Sequence, residues 1–90
     1  MLPSESSLPI ARRATWRDTE CLELVCGIAN AGGGHLILDA DVDSRGAVKR
    51  RTSRLMKTIP GLIAQSLNLT CAVELVLDSG RFCLEVVIPP

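Results

Sequence analysis

The chain has 90 residues, of which 47% are hydrophobic and 22% are charged, with ten basic and ten acidic side chains. This length and balance fit one small globular domain and exclude a disordered chain. No apolar run reaches the roughly 18 to 20 residues of a membrane-spanning helix, and the amino terminus lacks the pattern of a secretion signal, so we expect a cytoplasmic protein without a membrane partner.

The amino-terminal residues differ in composition from the rest of the chain. Residues 1–9 contain two prolines and three serines, which predicts a flexible segment. The remaining residues, 10–90, are expected to form a single domain that begins with a short strand near Ile10.

The first helix is predicted from Trp16 to about Ala31. Thr15 is a suitable N-cap, and acidic side chains at Asp18 and Glu20 fall beside the positive end of the helix. The apolar positions that recur at helical spacing are Leu22, Val25, Cys26 and Ala29.

Three glycines, residues 32–34, separate this helix from an apolar segment, "HLILDAD". A dinucleotide-binding glycine motif follows a strand and opens a helix, whereas here the order is reversed. We therefore expect Gly32 or Gly33 to form a left-handed helix cap and the next glycine to permit a tight turn. "HLILDAD" is predicted to be a strand, and "GAVKR" a short second strand.

A second helical pattern places Leu55, Ile59, Leu62, Ile63 and Leu67 on one stripe. Thr52 or Ser53 is positioned to cap its start. Because Pro60 interrupts the pattern, we expect either a bent helix or a short basic turn before a main helix that begins near Ile59.

The last segment, "TCAVELVLDSGRFCLEVVIPP", alternates apolar and polar residues on both sides of "DSG". This predicts a β-hairpin with Ser79 and Gly80 at its turn. Taken together, the elements predict an α+β two-layer sandwich in which a mixed sheet of four or five strands carries two helices on one face.

The four cysteines show no metal-binding spacing. No C-x-x-C pair is present and His35 is the only histidine, so a zinc site is not expected, and no other cofactor is predicted. Cys26, Cys71 and Cys83 are expected to be small buried side chains in a reducing compartment. His35 is expected to be a surface or strand residue with its hydrogen bonds satisfied, rather than a base.

Three carboxylates alternate along the chain at Asp39, Asp41 and Asp43. Alternate residues of an extended segment share one side, which is a common arrangement of metal ligands. A magnesium or manganese nuclease site would use Asp41 together with Glu5, the only pair that we can nominate as catalytic. The simpler interpretation is that these aspartates face water at the end of a strand.

The basic residues are concentrated in two places. Arg12, Arg13 and Arg17 surround the start of the first helix, and six more fall within thirteen positions without an acidic neighbour: Arg45, Lys49, Arg50, Arg51, Arg54 and Lys57. Such a segregated patch attracts a phosphate backbone, although a solvated basic loop has the same pattern. Trp16 and Arg17 could stack on a base, whereas a tryptophan at the start of an amphipathic helix more often packs inward.

The segment "TWRDTECLELVCGIANAGGGHLILDADVD" resembles the Schlafen AlbA-type domain, a DNA-binding module of bacterial ATP-binding transcriptional regulators. "LMKTIPGLIAQSLNL" is similar to the family's leucine-rich helix and "RFCLEVVIPP" to its closing strand. The resemblance covers roughly residues 5 to 90 and implies an Alba-like fold. The residues that match the family pattern are Trp16, Arg17, Asp18, Cys26, Gly27, Ala29, Asn30, Gly33, Gly34, Leu36 and Asp41.

Departures from the family pattern fall at the catalytic positions. Schlafen nucleases use two glutamates and the acid that corresponds to Asp41. This chain keeps Glu5, but Ile10 or Ala11 stands where the second glutamate belongs. Since a metal held by fewer acids positions its water less well, the resemblance implies binding more strongly than cleavage.

Three functions are therefore carried forward as hypotheses. The first is a nucleic-acid-binding module, with DNA favoured over RNA, that contacts phosphates through its basic residues. The second is a divergent or inactive metal-dependent nuclease. The third is a homodimerisation module, because the mean hydropathy of +0.26 is high for a small monomer and residues 81 to 88 are expected to form a sheet edge.

Overall fold

The computed structural model describes residues 9–90, so the segment predicted to be flexible lies, apart from Pro9, outside the described residues. No helix in the described range is long and apolar enough to cross a bilayer. The elements in chain order are β1 (Ile10–Arg13), α1 (Asp18–Asn30), β2 (Gly34–Asp39), α2 (Arg50–Leu67), β3 (Ala72–Asp78) and β4 (Arg81–Ile88).

The strands form one mixed sheet in the order β1-β2-β4-β3. β1 and β2 are parallel and are joined through α1, while β4 is antiparallel to both β2 and β3. The prediction that residues 81 to 88 form a sheet edge is wrong. Consecutive residues of β4, Cys83 and Leu84, are both buried, and a strand with apolar side chains on both faces is most stable in the interior of a sheet.

Both helices pack on one face of this sheet, which confirms the predicted α+β arrangement. Alternate residues of β2 and β4 point to that face and meet the buried residues of both helices. The resulting core contains Cys21, Val25 and Ile28 of α1, Leu36 and Leu38 of β2, Ile59 and Ile63 of α2, and Leu84, Val86 and Ile88 of β4.

Helix α1 begins two residues later than predicted, at Asp18, and the side that it buries differs from the predicted one. Arg17 is its N-cap residue, so the predicted cap Thr15 lies outside the helix. Cys26 is exposed rather than buried, because it is rotated by about 100° from Val25 around the helix. The residues buried against the sheet are Cys21, Val25 and Ile28.

The glycines after α1 form the predicted left-handed cap. The Gly33 N–H donates to the Ile28 carbonyl oxygen at 2.9 Å, and the Gly32 N–H donates to the Ala29 carbonyl oxygen at 3.1 Å. These two bonds are the Schellman arrangement, and φ values of 105° and 93° at Gly32 and Gly33 explain why glycine is required there.

The segment between β2 and α2 is a loop and not the predicted strand. Only an isolated bridge joins Val42 to Val48. The Asp43 carboxylate accepts hydrogen bonds from the N–H groups of Arg45 and Ala47, at 2.8 and 2.9 Å, so its side chain stabilises a tight turn where a strand would have continued.

Helix α2 continues through Pro60 from Arg50 to Leu67, so the alternative of a separate basic turn before the helix is wrong. Lys49 is the N-cap residue, and no side chain of the described residues caps the start of the helix. Thr52, one of the two predicted caps, is buried and accepts a hydrogen bond from the Asp41 N–H at 2.8 Å.

The carboxyl-terminal hairpin is confirmed with its predicted turn. Ser79 and Gly80 have φ values of 53° and 80°, the positive values that a two-residue turn between twisted strands requires. Asp78 and Arg81 are the last paired residues before the turn.

Alkylation of the native protein should modify Cys26 first, because the other three thiols are buried. Burial raises the pKa of the Cys21 and Cys71 thiols above the ordinary value, which further lowers their thiolate fraction. The folded protein holds these protons more tightly than the unfolded chain does, so the free energy of unfolding should fall as the pH rises above the ordinary thiol pKa of about 9.0, as urea denaturation at several pH values would measure.

Mass spectrometry of peptides from protein alkylated at pH 8 measures these rates, with protein in denaturant as the control for equal reactivity. Modification of Cys21 or Cys71 as fast as Cys26 in the native protein would contradict the described core.

Candidate functional site

Three basic side chains line one groove on the outer face of α2. Arg50, Arg54 and Lys57 are separated by four and three residues, which places them on one side of a helix. Together with Val48 and Ser53 they line a groove of about 540 Å³, called the basic groove below. Thr52 and Ile59 fix the orientation of the helix, because they are buried on its opposite side.

No acidic residue of the described range lines the basic groove. Within residues 9–90 the ion pairs are Arg12–Asp78, Arg13–Glu20 and the His35–Glu85 contact, so no carboxylate of this range neutralises the groove. Like charges three or four residues apart destabilise a helix by about 0.2–0.5 kcal/mol per pair. The cations of the groove therefore repel one another. A bound external anion would reduce this repulsion and stabilise the helix.

The start of α2 adds to this positive potential. Lys49 is its N-cap residue, no side chain caps the first turn, and no acidic residue lies in that turn. The first N–H groups of a helix carry the positive end of its dipole, and both they and the nearby cations favour an anion.

The remaining basic residues of the predicted patch do not line this groove. Arg51 points to another side of α2, where its Nη2 donates to Thr15 Oγ1 at 3.0 Å. Arg45 lies in the turn that Asp43 stabilises, and Arg17 precedes α1 as an exposed residue.

Arg12 and Arg13 are held by carboxylates of the protein itself. Arg13 Nε lies 2.6 Å from Glu20 Oε2. Arg12 Nη2 lies 3.0 Å from Asp78 Oδ2, at the last residue of β3. Neither side chain lines the basic groove.

A separate cleft of about 330 Å³ lies where the parallel strands β1 and β2 end. Thr15, Asp39, Asp41 and Arg51 contribute to its lining. The carboxyl ends of parallel strands are frequent sites of ligand binding. Asp43 does not join the other two aspartates, because its carboxylate is bonded in the adjacent turn.

Metal ligands are too few in this cleft as far as the structure describes it. No group of three histidine, cysteine, aspartate or glutamate side chains in residues 9–90 could hold a metal ion. Glu5, the predicted partner of Asp41, lies outside the described residues.

His35 is a strand residue on the sheet face away from the helices, and it lines neither concave surface. Its Nδ1 atom is buried, has no hydrogen-bond partner among residues 9–90 and lies 3.4 Å from Glu85 Oε2. The strand position is as predicted, but the expectation that the hydrogen bonds of the ring are satisfied is wrong for Nδ1, because its neighbour Glu85 lies too far away for a short hydrogen bond.

A third concave surface was not predicted from the sequence. Trp16, Leu55, Thr58 and Leu62 line a groove of about 520 Å³ between the start of α1 and the side of α2, called the Trp16 groove below. Gly61 also lines it, and a glycine in a helix interior costs about 1 kcal/mol relative to alanine. This unfavourable residue within a helical pattern is a sequence signal that could have indicated the groove, in addition to the possible stacking role of Trp16.

The basic groove, the cleft and the Trp16 groove are three concave surfaces of the described domain. The first carries positive charge that no carboxylate of residues 9–90 neutralises, and the second carries carboxylates. The third is lined by apolar and polar side chains together with Lys57 and the Asp18 carboxylate. Comparisons of the chain with protein-family models, with curated proteins and with solved structures returned no match.

Proposed function

We propose that this protein is a nucleic-acid-binding module that holds a phosphate backbone in the basic groove. The observation that carries the proposal is the alignment of Arg50, Arg54 and Lys57 in one groove without a carboxylate from residues 9–90. Guanidinium and ammonium groups donate strong hydrogen bonds to phosphate oxygens, and the release of counterions from the nucleic acid drives such binding.

Neighbouring groups complete the chemistry of phosphate binding. Ser53 lines the same groove and its hydroxyl can donate to a phosphate oxygen. Lys49 and the first N–H groups of α2 supply further positive charge at one end of the groove. Because these groups all interact with phosphate, we propose that the protein binds nucleic acid with little direct recognition of base sequence.

The resemblance to Schlafen AlbA-type domains supports DNA as the preferred nucleic acid and a role in transcriptional regulation. The matching stretch includes the glycines of the helix cap, and it leads into strand β2. We propose a cytoplasmic location, which the use of Cys21, Cys71 and Cys83 as small interior side chains supports.

A metal-dependent nuclease of divergent type is the second candidate. The observation in its favour is that Asp39 and Asp41 share one cleft at the ends of two parallel strands. This function would require a further acid, for which Glu5 is the nominee. Cleavage of labelled RNA or DNA with manganese, lost in Asp41→Asn, would identify this activity.

Arg54→Ala should weaken binding of a nucleic-acid oligomer about 5- to 10-fold at 50 mM salt, whatever its sequence. The physical reason is the loss of one charged contact with phosphate. Alanine suits a helix, so we expect the fold to be retained. Fluorescence anisotropy of a labelled oligomer measures the affinity.

Arg81→Ala is the matched control, because it removes the same charge from an exposed position in the hairpin. Arg81 alternates with Cys83 on the sheet face opposite the helices, and its removal should leave the affinity within about twofold. Equal losses in the two variants would show that only net charge matters and would refute the assignment to the basic groove.

A further inference from the structure

The Trp16 groove is positioned to take a different part of the same ligand, and this inference rests on the proposed function. We propose that the protein binds single-stranded nucleic acid, with one unpaired nucleobase seated in the Trp16 groove while the adjoining phosphates occupy the basic groove. The geometry that supports this assignment is the junction of the two grooves.

Lys57 lines both grooves, so they form one continuous surface along α2. Arg50, Arg54, Lys57 and Gly61 follow one another at intervals of four, three and four residues, which is a single stripe on the exposed side of the helix. A strand whose phosphates lie on the first three residues therefore reaches the Trp16 groove with its next nucleotide.

The lining of the groove suits a flat aromatic ring. Trp16 is half-buried, with part of its surface against the core and part lining the groove. Trp16 Nε1 donates to Asp18 Oδ1 at 2.6 Å, which fixes the orientation of the ring. The Asp18 carboxylate also lines the groove, where it can accept a hydrogen bond from an amino group of a base. Leu55 and Leu62 provide further apolar contact, and Thr58 and Gln65 can form hydrogen bonds with the edges of a base.

Gly61 lines the groove without a side chain, so it adds no bulk to the groove at this position. A β-carbon built on Gly61 has no atom of residues 9–90 within 4 Å, so the space beside it is open to a ligand. Glycine lowers the stability of a helix relative to alanine. The free energy gained when a ligand ring binds in this space would offset that loss.

The chemistry favours an unpaired base over a base in a duplex. Stacking of a base on an aromatic side chain requires an accessible face, and the bases of a duplex already stack on one another. Trp16 and Phe82 are the aromatic residues of the chain, apart from the histidine, and Phe82 lies on β4 and not in the groove. The surface therefore accommodates one base and not a stacked series.

Trp16 is the only tryptophan, so its fluorescence reports directly on the groove. The probes are single-stranded DNA and RNA homopolymers, an abasic oligomer of equal length that retains every phosphate, and a blunt duplex. We expect the base-containing single strands to quench the fluorescence and to bind about tenfold more tightly than the abasic oligomer. The homopolymer that binds more tightly shows whether the base comes from DNA or from RNA.

Gly61→Leu should fill the groove and reduce single-strand affinity to that of the abasic oligomer, with the affinity for the abasic oligomer unchanged. Gly27→Leu is the matched control, because Gly27 is also a helical glycine and a β-carbon added to it would have no atom within 4 Å. It should leave every affinity unchanged.

Equal quenching and equal affinity with abasic and base-containing strands would overturn the base site while leaving phosphate binding intact. The same conclusion would follow if Gly61→Leu bound single strands as the unmodified protein does. Failure of all the oligomers to bind would overturn the proposed function and this inference together.

Discussion

Gly34→Ala is expected to lower the free energy of unfolding by about 2–3 kcal/mol, the largest effect on stability that we predict for one added methyl group. A β-carbon on Gly34 would meet the Pro9 carbonyl oxygen and would lie 2.8 Å from Ile28 Cγ2. The Pro9 oxygen cannot move freely, because it accepts a hydrogen bond from the His35 N–H at 2.9 Å. Pro9, which precedes β1, and Ile28 of α1 would therefore have to move away from β2.

Urea denaturation followed by circular dichroism measures this change. Gly27→Ala is the control, since its added methyl group has open space in a helix and should raise the free energy of unfolding by about 0.5–1 kcal/mol. A Gly34→Ala protein as stable as the original would mean that the close approach of Pro9 to β2 is not part of the folded state.

Replacement of Arg50, Arg54 and Lys57 by alanine together should weaken nucleic-acid binding on the order of 100-fold at low salt, about 1 kcal/mol for each lost contact with phosphate. The fold should become slightly more stable, because alanine favours the helix and the repulsion between these cations is removed. Anisotropy titration and thermal unfolding of the same sample separate the two effects.

A second triple variant provides the comparison. Arg17→Ala, Arg45→Ala and Arg81→Ala remove the same total charge from positions that do not line the basic groove. We expect an affinity loss of less than about threefold. A loss as large as that of the first triple variant would favour diffuse attraction over a defined groove.

Local sequence patterns predicted the elements whose stability is local. The two positive φ values of the Ser79–Gly80 turn and the left-handed cap at Gly32 follow from the residues present at those positions. The apolar stripe of α2 likewise predicted its buried residues Ile59 and Ile63. The phase of α1 was harder to predict, because Cys26 and Cys21 are chemically alike and only packing against the sheet selects Cys21.

Local sequence patterns could not predict which strands pair with one another in the sheet. The central position of β4 depends on contacts with β2, about fifty residues earlier in the chain, and "GAVKR" lacks any strand with which to pair beyond the single Val42–Val48 bridge. Each of these outcomes is decided by tertiary context, which outweighs strand propensity.

The candidate site was predicted in composition but not in arrangement. The sequence showed the cluster of cations, yet the angular position of each residue on α2 decides that Arg54 lines the basic groove and that Arg51 does not. The ion pair of Arg12 joins residues 66 positions apart, which no local pattern reveals. The Trp16 groove exists only because α1 begins beside α2.

The salt dependence of binding by the unmodified protein tests the central claim most directly. Three phosphate contacts predict that the logarithm of the association constant falls against the logarithm of the salt concentration with a slope of about −2.1 for a single strand and about −2.7 for a duplex, so that affinity drops roughly 20- to 40-fold between 50 and 200 mM salt. An affinity that stays constant over this range, or no measurable binding at 50 mM salt, would contradict a phosphate-binding groove on α2.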